Sequence, residues 1–432
     1  MRSIRILGIA VAAAFFAAGM VWANGSSEKS GNGAASSGPT KITVFTWGFP
    51  AEKIAREKQA EIFNQKFPNI HVDLQVSPDY DRKLDAMLAA NAGPDVMETS
   101  DDWYHLRATN GQLVDLRPYI QKDGLDLNKI FYPRAVTGYT LPDGMVEAMP
   151  FGIDLFVMAY NKDLFQAAGL KDPTNGWTWA QALADAQALT KGSGVDKVYG
   201  MSDLWMYAQI AAYLDGGAYT SSDFKTVTAD SPAAIRGVQF VADLRFKYHV
   251  MASVSESTTT GLSGTQRFFA GKSGMIPMNN WDLGSFEQSI GNKFHWGIVT
   301  MPTMQSTGQS TSWYITEGYG MWSKSKHKNA DWQFMKWATT SPESMPIISG
   351  AAIPAAKAGA NVFLKSPTDP QALDLQAFLD QINGARLSPF GGIFAQIGNL
   401  MTNAWDEINT QKMTVPQAMQ QFTQQAQAAL PN

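Results

Sequence analysis

Apolar and polar positions alternate along the early part of the chain in the manner of a strand–helix–strand unit. Lys41–Trp47 is rich in β-branched and aromatic residues, and Ile70–Val76 alternates strictly, as a half-buried strand does. Between these segments, apolar residues recur at helical spacing: Ile54, Ala55, Ile62 and Phe63. Such a crossover predicts a parallel sheet and an α/β fold class.

The same alternation continues beyond this unit. Leu84, Met87 and Leu88 predict a second helix, which ends before Gly93-Pro94 and the short strand Asp95–Glu98. The pattern starts again after Pro150, where 151–160 reads as a long apolar strand followed by a helix from Asn161. No change in composition near the middle of the chain marks a linker between two consecutive domains, so the sequence predicts two interwoven α/β lobes.

Helix starts are marked by capping pairs. Thr178 with Gln181 and Thr414 with Gln417 have the spacing of a capping box. Trp177 and Trp179 flank the first cap and are interpreted as structural. Trp332 and Trp337 are interpreted as core residues.

The first forty residues predict an export signal and a leader. Arg2 and Arg5 precede an apolar stretch that ends at Ala23, where small residues suit signal peptidase, so we expect cleavage after Ala23 and a signal peptide over 1–23. A transmembrane anchor is the alternative, and the polar Ser/Gly-rich segment 24–40, read as a flexible leader, favours the signal. We therefore expect a periplasmic protein without stable membrane insertion.

Composition excludes several classes. The chain has 432 residues, no cysteine and a net charge of −4, so disulfides, thiolate metal sites and a cysteine nucleophile are excluded and nucleic acid is not an expected partner. Charged residues make up 17% and aromatic residues 11%, with 13 Trp. Part of this surplus of aromatic residues is expected to line a ligand site.

Catalytic and metal motifs are incomplete. His105 follows Asp101 and Asp102 but has no second histidine nearby, so no metal and no cofactor is expected. Gly271-Lys272-Ser273 lacks the upstream glycine of a phosphate-binding loop. Two carboxyl pairs stay open as candidates for glycoside chemistry: Glu98 with Asp102, and Asp154 with Glu317.

Aromatic residues stand beside acids or amides at several predicted strand ends. Aromatic rings stack on the C–H faces of sugars, and charged acceptors make strong hydrogen bonds to hydroxyls. In open α/β sheets the ligand lies beyond the carboxyl ends of the strands. The segments with this mixture are Trp47-Gly48, Asp79-Tyr80, Asp101-Asp102-Trp103, Leu204-Trp205, Asn279-Asn280-Trp281-Asp282 and Trp313-Tyr314 with Glu317-Gly318-Tyr319.

From about Lys41 to the C-terminus the chain resembles the family 1 extracellular solute-binding proteins, which include maltose-binding protein. The most characteristic segment is Tyr160-Asn161-Lys162-Asp163-Leu164-Phe165. Other matching segments follow in order: Phe67-Pro68-Asn69-Ile70, Gly93-Pro94-Asp95-Val96, Gly111-Gln112-Leu113-Val114-Asp115-Leu116, Trp177-Thr178-Trp179, Ser231-Pro232-Ala233-Ala234, Phe269-Ala270-Gly271-Lys272 and Ala330-Asp331-Trp332-Gln333-Phe334.

The resemblance implies a two-lobed periplasmic-binding-protein fold (type II) whose lobes are joined by hinge strands. Lobe one would comprise 41–150 and 303–348, and lobe two 155–300 and 354–432. The crossings would fall near 150–154, 300–302 and 350–354. The implied function is that of the substrate-binding subunit of an ABC importer, a monomer that binds a sugar between the lobes and delivers it to the permease.

The resemblance also suggests which residues bind the ligand. The expected set is Trp47, Asp79, Asp102, Trp103, Asp154, Trp205, Trp281, Glu317 and Arg386. Trp205 and Trp281 would stack on sugar rings, whereas the acids Asp102, Asp154 and Glu317 would accept hydrogen bonds from hydroxyls. Glycerol phosphate, a polyol or a polyamine are alternative ligands, an extracellular carbohydrate-active enzyme is an alternative class, and docking to a chemoreceptor stays open.

Overall fold

The computed structural model describes residues 38–48, 50–101, 105–203, 206–221, 225–304, 308, 310–365, 373–387 and 394–430. The chain divides into two units, Met1–Pro39 and Thr40–Asn432. The strands and helices of the described residues belong to the second unit, and together they make a mixed α/β structure.

The described residues form ten strands. Their bounds are β1 Thr40–Trp47, β2 Ile70–Ser77, β3 Val96–Ser100, β4 Met149–Asn161, β5 Tyr199–Met201, β6 Ser273–Asn279, β7 Trp296–Thr300, β8 Trp313–Met321, β9 Ile353–Pro354 and β10 Arg386–Leu387.

The same residues form nineteen α-helices and four short 3₁₀ helices. The α-helices are α1 Pro50–Lys66, α2 Tyr80–Ala89, α3 His105–Thr109, α4 Arg117–Lys122, α5 Leu127–Ile130, α6 Pro133–Gly138, α7 Lys162–Ala167, α8 Trp179–Leu189, α9 Met206–Ile210, α10 Pro232–Phe246, α11 Val254–Thr260, α12 Gly264–Phe269, α13 Leu283–Ile290, α14 Lys328–Thr340, α15 Met345–Ile348, α16 Ala360–Phe363, α17 Gln376–Ile382, α18 Phe394–Asn409 and α19 Val415–Ala429. The 3₁₀ helices are Gly194–Asp196, Ala211–Tyr213, Asn280–Asp282 and Lys357–Gly359.

The long strand β4 connects two groups of paired strands. The strand order is β2-β1-β3-β8-β4-β6-β5, with β7 and β9 also paired to β4 and β10 paired to β8. Residues 149–155 of β4 pair with β8, whereas residues 156–161 pair with β6 and β7. All thirteen residues of β4 are buried. The strand therefore passes without interruption from one group to the other.

Two large apolar clusters pack on the strands, and β4, β6, β7 and β8 each contribute side chains to both. One cluster gathers side chains from β1, β2 and the odd-numbered positions of β4 from Met149 to Ala159, together with Phe63 and Phe334 from helices α1 and α14. The other gathers Phe156 and Met158 from the second half of β4 with residues of α8, α10, α18 and α19. Because successive side chains of a strand point to opposite faces, β4 supplies residues to both clusters.

Most elements predicted from the sequence are confirmed. The strands at 41–47, 70–76 and 151–160 and the helices between them form, and β1 pairs in parallel with both β2 and β3. The sheet as a whole is mixed, because β8 runs antiparallel to β3 and to β4.

One face of α1 differs from the prediction. Ile54 was expected on the apolar side, but it is 68% exposed, while Arg56 and Gln59 are 1% exposed. Residues three or four positions apart lie on the same face of a helix. Counting back from the buried Phe63 by four and then by three residues gives Gln59 and Arg56, and not Ile54. The expectation was therefore wrong for Ile54, whereas Ala55 and Phe63 are buried as expected.

The predicted caps and core aromatic residues are confirmed. Both capping boxes form, at the starts of α8 and α19. Trp177, Trp179, Trp332 and Trp337 are all buried.

Candidate ligand-binding site

The carboxyl end of β1 presents an aromatic pair. Trp47 is the last residue of β1 and is half-buried. Its ring packs on that of Tyr80, the buried first residue of α2, with 4.5 Å between ring centroids. Phe45 stacks on Tyr80 at 4.7 Å. Tyr80 is thus held between two rings, and Trp47 has a fixed support beneath it.

Glu98 ties this aromatic pair to a buried arginine. The backbone N–H of Trp47 donates to Glu98 Oε2 at 3.2 Å, and the Tyr80 hydroxyl donates to the Glu98 carbonyl. Arg56 Nη2 donates to Glu98 Oε1 at 2.8 Å, and both side chains are almost fully buried. The Arg56 guanidinium also lies 4.0 Å from the centre of the Phe151 ring. We call Arg56, Glu98, Glu317, Asp154 and Glu52 the charged cluster.

Glu317 joins the charged cluster from β8. Its Oε2 lies 3.6 Å from Arg56 Nη2. Burial and the negative charges of Asp154, Glu98 and Glu52 raise the pKa of Glu317 well above its ordinary value, against the opposing effect of Arg56. The carboxyl group therefore holds its proton at higher pH than an exposed glutamate does.

Asp154 connects the charged cluster to the segment after β6. Asn280 Nδ2 donates to Asp154 Oδ1 at 2.6 Å, and Asn280 Oδ1 accepts from the Leu155 backbone N–H at 2.8 Å. Trp281 follows at once; it is 41% exposed, and its ring meets that of Phe156 edge-on at 5.9 Å. An exposed tryptophan is thus fixed beside a buried carboxyl–amide pair.

Four of the residues predicted to bind ligand are linked by these contacts. Trp47 leads through Glu98 and Arg56 to Glu317, and the residues Asp154 and Trp281 are joined through Asn280. Asp79 stands apart from this set, because its exposed carboxylate pairs with Arg82, which lowers the pKa of Asp79.

The remaining predicted residues cannot be joined to the set. Asp102, Trp103 and Trp205 lie outside the described residues. Arg386 begins β10 and pairs with Trp313 of β8, but its side chain is not among those described. The binding role of every predicted residue stays a prediction.

Sequence reasoning missed several members of the site. Arg56 was hidden inside an amphipathic helix, and Tyr80 gave only the signal of an acid–aromatic pair with Asp79. Glu98 was considered only as a partner of Asp102. Asn280 belongs to the segment Asn279-Asn280-Trp281-Asp282. The signal that could have identified it is an amide side chain placed between a predicted strand end and an aromatic residue.

Two further features of the described residues bear on the chemistry. They contain no group of three His, Asp or Glu side chains placed to hold a metal ion. Asp101 instead accepts from the Thr316 backbone N–H at 2.9 Å. Within the described ranges, no helix combines the length and apolar character needed to span a membrane.

Comparison of the sequence with protein families establishes the class. Residues 13–345 match the model of the bacterial extracellular solute-binding proteins, and the chain belongs to this family. A maltotriose-binding protein of Pyrococcus abyssi is 22% identical over 71% of this chain and 64% of its own length. A sn-glycerol-3-phosphate-binding periplasmic protein of Rhizobium meliloti is 25% identical over 50% of each chain. The chain thus spans between half and two thirds of the length of these relatives.

Solved structures match the fold along almost the whole chain. An ABC substrate-binding protein of Listeria monocytogenes in complex with cycloalternan aligns with a TM-score of 0.77 at 22% identity, over 90% of this chain and 98% of that one. A protein of Mycobacterium tuberculosis in complex with glycerophosphocholine gives a TM-score of 0.74 at 21% identity, over 91% and 98%. These neighbours are two-lobed solute-binding proteins, and the predicted two-lobed α/β fold class is confirmed.

Proposed function

We propose that this protein is the periplasmic substrate-binding subunit of an ABC importer, and that it binds a neutral di- or oligosaccharide between its lobes for delivery to a membrane permease. Family membership and the maltotriose-binding relative support this proposal. Ligand that contacts both lobes stabilises the closed arrangement, and the permease reads that arrangement. The protein turns over no substrate in this mechanism.

The observation that carries the proposal is the supported aromatic ring of Trp47 next to a row of carboxyl and amide groups. Trp47 rests on Tyr80 at 4.5 Å, and its backbone is bonded to Glu98. The row continues through Glu317 to Asp154. Aromatic surface for C–H faces and polar groups for hydroxyls are the two requirements of a sugar site.

A glycerol phosphate ester is the second candidate, because several relatives are named for binding one. A phosphate needs cationic or N–H donors that are not already engaged. In the charged cluster Arg56 is the one cation, and Glu98 occupies it at 2.8 Å. The acids Glu98, Asp154 and Glu52 around it would repel a phosphate, so the cluster favours an uncharged ligand.

A carbohydrate-active enzyme would use Asp154 and Glu317 as acid and base. That alternative predicts sugar products on prolonged incubation, and loss of product when either residue is changed to its amide. The binding protein predicts saturable binding at one site with no product. Chromatography of the incubated sugar separates the two.

The first test is a thermal-shift screen of the mature protein against mono-, di- and oligosaccharides, polyols, polyamines and glycerol phosphates. A ligand at about 100 times its Kd stabilises the folded state by about 2.7 kcal/mol. Trp47→Ala should reduce the shift caused by a sugar hit, whereas Ile54→Ala, an exposed position on α1, should leave it unchanged. A shift with glycerol 3-phosphate or a polyamine and with no sugar would overturn the proposed ligand class.

Processing and assembly are tested on the same material. Secretion with cleavage after Ala23 predicts a mature chain that begins at Asn24, which intact-mass measurement of periplasmic protein decides. Light scattering should give the mass of a monomer.

A further inference from the structure

Glu317 occupies a distinct place on β8. Every other residue of this strand is buried, while the Glu317 side chain keeps 14% exposure. Across the sheet it faces Ser100 on β3 and Gly152 on β4. A Cβ atom on Gly152 would lie 3.1 Å from Glu317 Oε2, so the carboxyl group covers the glycine. Glu317 is therefore the most exposed residue of β8.

The strand register places two acids beside it. Glu98 lies opposite Tyr319, and Asp154 lies opposite Ile315. Residues directly opposite in an antiparallel pair share a face, so Glu98 and Asp154 are diagonal neighbours of Glu317 on one face of the sheet, roughly 7–8 Å away between Cα atoms. Like charges at such positions are unfavourable.

Helix α1 adds one more acid and a single cation over this face. Glu52 and Arg56 come from its first two turns. Arg56 Nη2 makes a hydrogen bond of 2.8 Å to Glu98 but lies 3.6 Å from Glu317, beyond the usual range of a hydrogen bond. The single positive charge is therefore matched mainly by Glu98.

Asp154 and Tyr319 complete the groups around Glu317. Asn280 Nδ2 donates to Asp154 Oδ1 at 2.6 Å. Burial, together with the negative charges of Glu98 and Glu317, raises the pKa of Tyr319 against the opposing effect of Arg56. The Tyr319 hydroxyl donates to Gln59 Oε1 at 3.0 Å. Ionised Glu317 would thus add a negative charge next to the acids Glu98 and Asp154 on the same face of the sheet.

We propose that Glu317 is the specificity-determining residue of the site and meets the ligand as a neutral carboxylic acid, donating a hydrogen bond to a ligand oxygen. This inference rests on the proposed function. A neutral acid donates to the ring, glycosidic or hydroxyl oxygens of a saccharide, whereas a carboxylate only accepts. The sequence had suggested the opposite role, that of an acceptor. Ionisation of Glu317 removes the donor and weakens binding.

The test is isothermal titration of wild type, Glu317→Gln and Glu317→Ala with maltotriose from about pH 6 to about pH 9. The amide of Glu317→Gln keeps a donor and carries no charge, so its affinity should stay within about threefold of wild type at the lower pH and should not change with pH. Glu317→Ala should lose about tenfold or more. A loss of tenfold or more in Glu317→Gln, with a wild-type affinity independent of pH, would overturn the donor role.

A second measurement needs no ligand. If the folded protein keeps Glu317 protonated, the unfolding equilibrium of wild type relative to Glu317→Gln should shift about tenfold toward the unfolded state per pH unit above the ordinary carboxyl pKa of 4.5. Stability from a raised pKa is fully present below that value and is lost as the pH rises through the folded-state pKa.

The matched control is Glu61→Gln. Glu61 is an exposed acid of α1 whose pKa is lowered by Lys58, so the unfolding equilibrium of wild type relative to Glu61→Gln should not change over the same pH range. A flat ratio for Glu317→Gln would overturn the inference. If wild type binds neither maltotriose nor any sugar of the thermal-shift panel, the proposed function fails, while this ligand-free ratio still decides the charge of Glu317.

Discussion

Replacing Arg56 with methionine should destabilise the protein strongly, because it removes the one cation of the charged cluster. Arg56 and Glu98 are 2.8 Å apart with side-chain exposures of 0% and 1%. Removing one partner of such a buried pair costs about 3–5 kcal/mol, since the other charge stays buried without compensation. The lost contact with the Phe151 ring at 4.0 Å adds about 1 kcal/mol. We expect a total loss of about 4–6 kcal/mol near pH 7.

Urea unfolding followed by circular dichroism measures this loss. Lys58→Met is the matched control: it removes an exposed partner of Glu61 on the same helix and should cost less than about 1 kcal/mol. The double variant Arg56→Met/Glu98→Gln should regain part of the lost stability, because it no longer buries an unpaired carboxylate. A loss below about 1 kcal/mol for Arg56→Met would refute the conclusion that the guanidinium compensates Glu98.

Three further outcomes are expected. Burial raises the pKa of Asp331 to about 6, so the stability of wild type relative to Asp331→Asn should fall by about 3 kcal/mol as the pH rises from about 4 to 6; a pH-independent difference would contradict the assignment. Gly152→Ala should weaken sugar binding in titration calorimetry, because its Cβ would lie 2.9 Å from the Ala352 Cβ and 3.1 Å from Glu317 Oε2; unchanged affinity would contradict a role of the Glu317 position in binding. The chain has no cysteine, so Lys53→Cys/Gln288→Cys takes two dyes cleanly, and energy transfer between them should change on adding a sugar hit; no change at saturation would refute lobe closure.

Local patterns were enough to predict most elements. Strict alternation at Ile70–Val76 and the apolar run at 151–160 predicted strands that form, and the capping pairs predicted two helix starts. These signals depend on neighbouring residues only, so they survive without knowledge of the fold. The antiparallel pairing of β8 with β3 and β4 was not predicted, because the residues it joins are far apart in sequence.

The site was predicted in part, for a related reason. Trp47 lies at the end of a predicted strand and Asp154 within one, and both side chains are of a type that binds sugars. Such positions can be recognised in the sequence. Arg56 is not visible, because a charged residue in an amphipathic helix is expected to face solvent. Its burial depends on Glu98, 42 residues later, and on Glu317 from β8. Only the folded chain brings these three together.

The structure also joins the ligand-binding candidates to the strand on which lobe closure would depend. The partners of β4 change between Leu155 and Phe156, and Asn280 accepts from the Leu155 backbone N–H while donating to Asp154. Asn280 immediately precedes Trp281 in the chain. Because these bonds attach the Trp281 segment to the point where the pairing changes, a bend of β4 at Leu155 would move Trp281 relative to Glu317. Ligand that bridges the two would therefore favour one bend of the strand over the others.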